Sequence, residues 1–436
     1  MKKLFFSAMA LSLAILSGLC EARPASSDSL TVEQAVRLTL ESHPLVQQAG
    51  YNVAAADARV GGSRAAYYPD IALAGVYELL EPVPEISFPG LGTFKFYPAN
   101  NYDVHLGLRQ TLYDFGRVST GVQLAESARR SATDYVDLVK SNLAYQTIAV
   151  FDAMLILHQS IVVLDEQIEA LGQHLAVSVK KIQAGTATDF DSLTTEVRIA
   201  TARNDRIDAA KSLETQEILL RQLTGLPPDF SITPKGAIDA RPVRLSPDSV
   251  LAAARRARPE LVVARDAENS ANVQARLASL GDKPSLSLNV ASGFKNGYIP
   301  DLNEWKANVA AGVLLMVPLF NGNRTRHQKD EAYANIQSAM ARTADVERQV
   351  GSEVNQAIAG VKSSLEKIDN SAVQVAQAEA ALTRARAQYD AGVATNLDLL
   401  DVQTALSQAK LIRLRAIYEY MVSMNALDRA TGKKIW

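Results

Sequence analysis

The chain is written twice, and that duplication limits its fold more than any other feature. Ala184-Gly185-Thr186-Ala187-Thr188-Asp189-Phe190-Asp191-Ser192-Leu193 matches Ala391-Gly392-Val393-Ala394-Thr395-Asn396-Leu397-Asp398-Leu399-Leu400, glycine on glycine, at an offset of 207 residues. Leu112-Tyr113-Asp114 matches Leu319-Phe320-Asn321 at that offset, with Arg117 on Arg324, and Leu223-Thr224-Gly225 falls on Ala430-Thr431-Gly432. Upstream the offset is 215: His43-Pro44 pairs with Arg258-Pro259, and Pro69 with Pro284. The first half therefore carries eight extra residues between Pro69 and Leu112. A constant offset on either side of one length change is what duplication plus a loop insertion leaves. The reading divides the chain into a leader (1–22), a first repeat (23–233) and a second repeat (234–436).

Both halves have the same order of elements. Helices open each one, with Thr31 or Ser29 available to cap the first and Ser246 the second. Proline stops them at Tyr68-Pro69 and Lys283-Pro284. Period-two alternation follows. Ile71, Leu73, Gly75, Tyr77 and Leu79 share one face, and Tyr102, Val104, Leu106 and Leu108 alternate with Asp103, His105, Gly107 and Arg109. Strands are predicted at about 70–80 and 102–111, and again at about 285–293 and 306–317. At about ten residues each they reach across a bilayer as tilted strands. A soluble hairpin with one wet face would alternate in the same way. The segments 81–99 and 294–303 between the strands read as loops.

Long helices come next, at about 117–183 and 323–390, both free of proline. Val346, Val350, Val354, Ile358, Val361, Leu365 and Ile368 recur at three and four residues, the stripe of an amphipathic helix. Some 65 residues at 1.5 Å rise come to roughly 100 Å. Glycine turns at Gly185 and Gly392 reverse the chain, Asp189 and Asn396 are candidate caps, and returning helices occupy 189–224 and 396–431.

The first residues read as a secretory leader: Lys2 and Lys3, an apolar run from Leu4 to Leu19, then Ala22 at a cleavage position. Leu19 before Cys20 fits a lipoprotein signal poorly, and cleavage after Ala22 leaves no cysteine. The formal net charge of −2 gives no sign of an electrostatic nucleic-acid binder. No uncharged apolar run past the leader reaches the ~18 residues of a spanning helix. The nearest, Ala144–Leu164, is broken by Gln146, Asp152, His158 and Gln159 and reads as helical core. A membrane crossing must therefore use strands. Four strands cannot close a barrel, and open edges are not tolerated in lipid, so several chains must share one barrel; three copies would supply twelve strands.

This order of elements, with the junctions Leu112-Tyr113-Asp114-Phe115-Gly116-Arg117 and Pro318-Leu319-Phe320-Asn321-Gly322-Asn323-Arg324 and the two hairpin turns, resembles the TolC-like outer-membrane efflux channels from about Leu30 to Gly432. The resemblance implies a mostly helical fold with membrane strands. Long helical hairpins would form an α-barrel, and four strands per chain would enter a 12-stranded trimeric β-barrel. It implies a homotrimer in outer-membrane lipid, extending into the periplasm. Small molecules or proteins would leave through it as the exit duct of a tripartite efflux or type I secretion system, docked by a periplasmic adaptor protein onto an inner-membrane pump. Three rivals are a coiled-coil adaptor, which predicts one hairpin rather than two in register, a scaffold without a pore, and an enzyme.

No enzyme constellation is visible. His43, His105, His158, His174 and His327 are scattered, and neither a phosphate loop nor a cofactor or metal motif occurs. Asp398 and Asp401, three apart, share a helix face. In a trimer they would ring the axis with carboxylates and favour cations. As charges near a helix start they are equally explained by the macrodipole. The resemblance places these acids, Tyr389 and Asp191 at the periplasmic gate. Ala394 stands where that pattern has a basic residue, so a latch from that position is missing. Gly185, Thr188, Gly392 and Thr395 form tips that would dock the adaptor, while the glycines also serve the tight reversal.

Overall fold

The computed structural model describes residues 28–90, 92–236, 238 and 246–435. The leader and Cys20 lie outside the described residues. The first half runs β1 (Asp28–Leu30), α1 (Val32–Ser42), α2 (Pro44–Ala65), β2 (Asp70–Leu79), β3 (Glu85–Phe88), β4 (Gly92–Lys95), β5 (Asn100–Tyr113), α3 (Arg117–Gln183) and α4 (Asp189–Thr224). The second runs β6 (Ile232–Pro234), α5 (Pro247–Ala257), α6 (Pro259–Ser279), β7 (Ser285–Lys295), β8 (Lys306–Met316), α7 (Arg324–Asp390) and α8 (Asn396–Ala430). The two long helices have 67 residues each.

The chain forms two compact units, and neither is one sequence half. One unit comprises Met1–Thr39, Thr147–Asp239 and Asn370–Tyr418; the other comprises Leu40–Gln146, Ala240–Asp369 and Glu419–Trp436. The first holds the two hairpin turns. Its core joins Leu171 of α3, Ile199 and Ala202 of α4 and Leu400 of α8. Leu382, Ala385 and Tyr389 of α7 pack on Leu399 of α8. In the second unit, Val346, Val350, Val354, Ala357 and Val361 of α7 meet Leu261 and Ala264 of α6 and Tyr420 and Leu427 of α8. Ile358, Leu365 and Ile368 complete the apolar stripe against that core. Among the described residues α3 alone has an 18-residue window apolar enough to cross a membrane, and 50% of that window is buried within the protein. Ala144, Phe151 and Met154 there are fully enclosed, which marks the stretch as core.

The second unit also holds the antiparallel sheet β2-β5-β7-β8. Its register puts Asp70, Arg109, Asn289 and Gly312 in one cross-strand row, and Ala74, His105, Gly293 and Asn308 in another row on the same face. The opposite face carries Leu73, Leu106, Ser292 and Val309, then Gly75, Val104, Phe294 and Ala307. Along β5 from Tyr102 to Leu106 the apolar face is the open one. Leu106 is 52% exposed, whereas the side chains of Asp103 and His105 on the other face are 34% and 30% exposed. A water-soluble sheet would show the reverse.

Several local expectations are corrected. Ser29 lies in β1, and Thr31 makes the cap, its N–H donating to Gln34 Oε1 at 2.9 Å. The Ser246 hydroxyl makes no cap bond. The returning helices are capped one residue earlier than Asp189 and Asn396, by Thr188 and Thr395. A threonine with an acid three residues on closes a reciprocal box that an aspartate or asparagine at the next position cannot. The 81–99 loop contains the small hairpin β3–β4.

Candidate functional site

The two hairpin turns are built alike. Gly185 and Gly392 adopt φ of 74° and 72°, a conformation side chains resist. Thr186 N–H then donates to Lys181 O at 2.9 Å and Val393 N–H to Gln388 O at 2.8 Å, which satisfies carbonyls at the helix ends. The Asp191 carboxylate accepts from Thr188 N–H at 2.9 Å and from its hydroxyl at 3.0 Å. Asp398 accepts from Thr395 N–H at 2.9 Å and from its hydroxyl at 2.6 Å. Those bonds hold the Asp398 carboxyl below its ordinary range. Both acids thus serve as cap partners, while Asp398 remains exposed to water.

Asp401 sits one turn further along α8 and receives Arg198 Nη2 of α4 at 2.8 Å. An Arg–Asp bridge is therefore present, but its arginine comes from the other hairpin. Ala394 packs beneath the turn on the cluster of Leu382, Ala385, Tyr389 and Leu399. Tyr389 is buried, edge-on to His174 with ring centroids 5.2 Å apart. Lys181 Nζ stands 3.7 Å from the centre of the tyrosine ring, a cation–π contact.

The cluster centres on Asn396, which sequence reasoning read only as a cap. Its Nδ2 donates to Asp191 O at 3.1 Å and to Thr194 Oγ1 at 3.3 Å. Those two donations turn Oδ1 toward His174, whose Nε2 is 2.5 Å away. That nitrogen must carry the proton, since an amide oxygen only accepts. Asn396 and His174 are both buried. One amide thus joins α3, α4 and α8, and His174 extends the contact to Tyr389 of α7. The sequence offered no signal beyond the cap type of Asn396; its partner, 222 residues away, was not legible.

Apolar side chains flank both turns in the open: Phe190, Leu193, Val393 and Leu397 are well exposed. Among the described residues no group of three or more His, Cys, Asp or Glu side chains is placed to hold a metal ion. His43 caps α2, accepting from Leu45 N–H at 3.2 Å, and His105 pairs with Asp103 at 3.1 Å.

Comparison with known proteins adds four findings. A family model described as "Outer membrane efflux protein" matches residues 35–226 and 250–433. The chain is 22% identical over 386 residues to Protein CyaE of Bordetella pertussis, covering 86% of this chain and 78% of that one. It is 23% identical over 418 residues to Outer membrane protein TolC of Salmonella enteritidis, with 92% and 80% covered. The solved structure of the outer-membrane channel OprN superposes with a TM-score of 0.79 at 17% identity, covering 93% of this chain and 90% of that chain, which speaks to the fold alone.

Proposed function

The chain belongs to the outer membrane efflux protein family, non-enzymatic channels of the outer membrane, and we propose that three copies of it close one barrel in outer-membrane lipid. The sheet with its apolar face outward carries this reading. Each of its four strands has between 10 and 14 residues, enough to cross the hydrocarbon as a tilted strand. β2 and β8 are its two edges, and lipid offers no partner for their backbone groups. The β8 edge of one copy meeting the β2 edge of the next satisfies both. Tyr77, Tyr102 and Trp305 stack on the apolar face at 5.2 and 5.5 Å, the aromatic belt of a membrane interface. The polar face, with Asp70, Arg109, His105 and Lys295, then lines water. Light scattering on detergent-extracted protein tests the assembly: a trimer is expected, and a monomer stable in detergent contradicts it.

The paired hairpins support a periplasmic helical tunnel built by two structural repeats, 23–233 and 234–436. In this reading the tips receive a periplasmic adaptor that links the channel to an inner-membrane pump. Phe190, Leu193, Val393 and Leu397 supply open apolar surface around Gly185, Thr188, Gly392 and Thr395. Asp398 and Asp401 face the water of the entrance as acid rings, and Tyr389, His174 and Asn396 tie the two hairpins of each protomer together. A coiled-coil adaptor or a scaffold without a pore leaves the outward apolar sheet unexplained. The Phe190→Asp, Leu397→Asp double variant is expected to stay trimeric and lose adaptor capture; undiminished capture removes the tips from the docking surface.

A further inference from the structure

We propose that Asp134 and Asp266 share one proton and make the packing of α6 on α3 a pH-responsive joint in the channel wall, tightened by acid. The two helices run antiparallel along a seam of polar rungs. Arg117 Nη2 donates to Leu280 O at 2.8 Å and to Lys283 O at 3.2 Å. Ser127 and Ser270 share a hydroxyl bond of 2.7 Å. Two turns further along α3, the next rung sets the Asp134 side chain within hydrogen-bonding reach of Asp266. Two carboxylates cannot bond to each other unless one holds a proton.

Asp266 is 7% exposed, and its Oδ2 is shut away from water with no hydrogen-bond partner. An ion there is poorly solvated, so the group favours its neutral form. The neighbouring elements supply little positive charge. On α6, Arg265 is engaged by Glu347 of α7 at 3.5 Å and by the Arg255 carbonyl of α5 at 3.2 Å, and Glu268 adds a further acid. On α7, Arg342 is taken by Asp345 at 3.2 Å. On α3, Arg129 is taken by Asp57 of α2 at 3.3 Å, which leaves Arg130 as the opposing cation. Burial first, then the bond to Asp134 and its charge, raise the Asp266 carboxyl from its ordinary 3.8 to about 6. A raised carboxyl means that the folded protein keeps a proton the unfolded chain has lost. Stability from this pair is therefore full below about pH 4, falls as pH rises to about 6, and changes no further above that.

Infrared difference spectroscopy on the purified trimer reads the shared proton directly. The wild type is expected to show the C=O stretch of a protonated carboxyl group that disappears as pH passes about 6. Asp266→Asn and Asp134→Asn, each able to keep the rung through an amide, should both lack that band. Their melting temperatures should also depend less on pH than the wild type's between about pH 4 and 7. A wild type with no such band, or a band that survives in either variant, overturns the proposal. So does a melting difference between wild type and both variants that is constant across that range.

Discussion

A methyl group on Gly293 would lie 2.0 Å from the Val104 carbonyl oxygen and 2.5 Å from His105 Cα. Both neighbours are backbone of the adjoining strand, so nothing can give way cheaply. Gly293→Ala is expected to prevent the β5–β7 pairing and sharply reduce the yield of folded trimer. Gly312, two rows away on the same face, has open space where its Cβ would go. Gly312→Ala should leave the yield unchanged, as measured by heat-sensitive oligomer bands on gels. The acids at the turns call for a different experiment. Asp398→Asn with Asp401→Asn should lower cation selectivity in reversal-potential measurements, because two ring charges vanish per protomer. Unchanged selectivity would return both acids to their capping and bridging roles. Arg198→Ala separates those effects: it breaks the bridge to Asp401 and costs about 0.2–1 kcal/mol for an exposed pair, yet removes no acid.

At the scale of elements, the long helices and membrane strands were legible because their signals are local and repeated. Proline is missing from 67 residues, apolar positions recur at three and four, and a glycine with φ near 70° closes each turn. The duplication doubled every such signal. The strand-to-helix junctions keep even their backbone: Phe115-Gly116 and Gly322-Asn323, at the repeat offset, all have positive φ. Shorter features gave no such signal. The parallel pair β1–β6 joins three residues to three across the length of the first half, and β3–β4 hides among prolines and glycines. Caps were misplaced by one residue because Asp189 and Asn396 are good cap types standing beside better-placed threonines. The His174–Asn396 contact joins two helices whose register no local pattern fixes. His174→Ala leaves the Asn396 oxygen buried without a donor, at a cost of about 1–3 kcal/mol. Hydrogen exchange should quicken at the ends of α3 and α8 in that variant and remain unaltered in the strands. Equal exchange in both proteins would show that the cluster does not fasten the hairpins.

At the scale of the whole molecule, one chain cannot complete what its sequence specifies. Four strands leave two edges, and the outward face of the sheet is almost wholly apolar, with Ser292 the exception among the rows described above. Residue types, register and exposure agree on a lipid-facing surface and a water-lined one, so the barrel follows from the chain's own chemistry as well as from its family. Conduction is the property that neither an adaptor nor a scaffold shares. Single-channel recording with the purified full-length protein in planar bilayers is therefore the most direct measurement. Discrete, uniform conductance steps are expected from the trimeric fraction, with larger or longer openings for His174→Ala. Protein that inserts into the bilayer as a trimer and passes no current would contradict the channel.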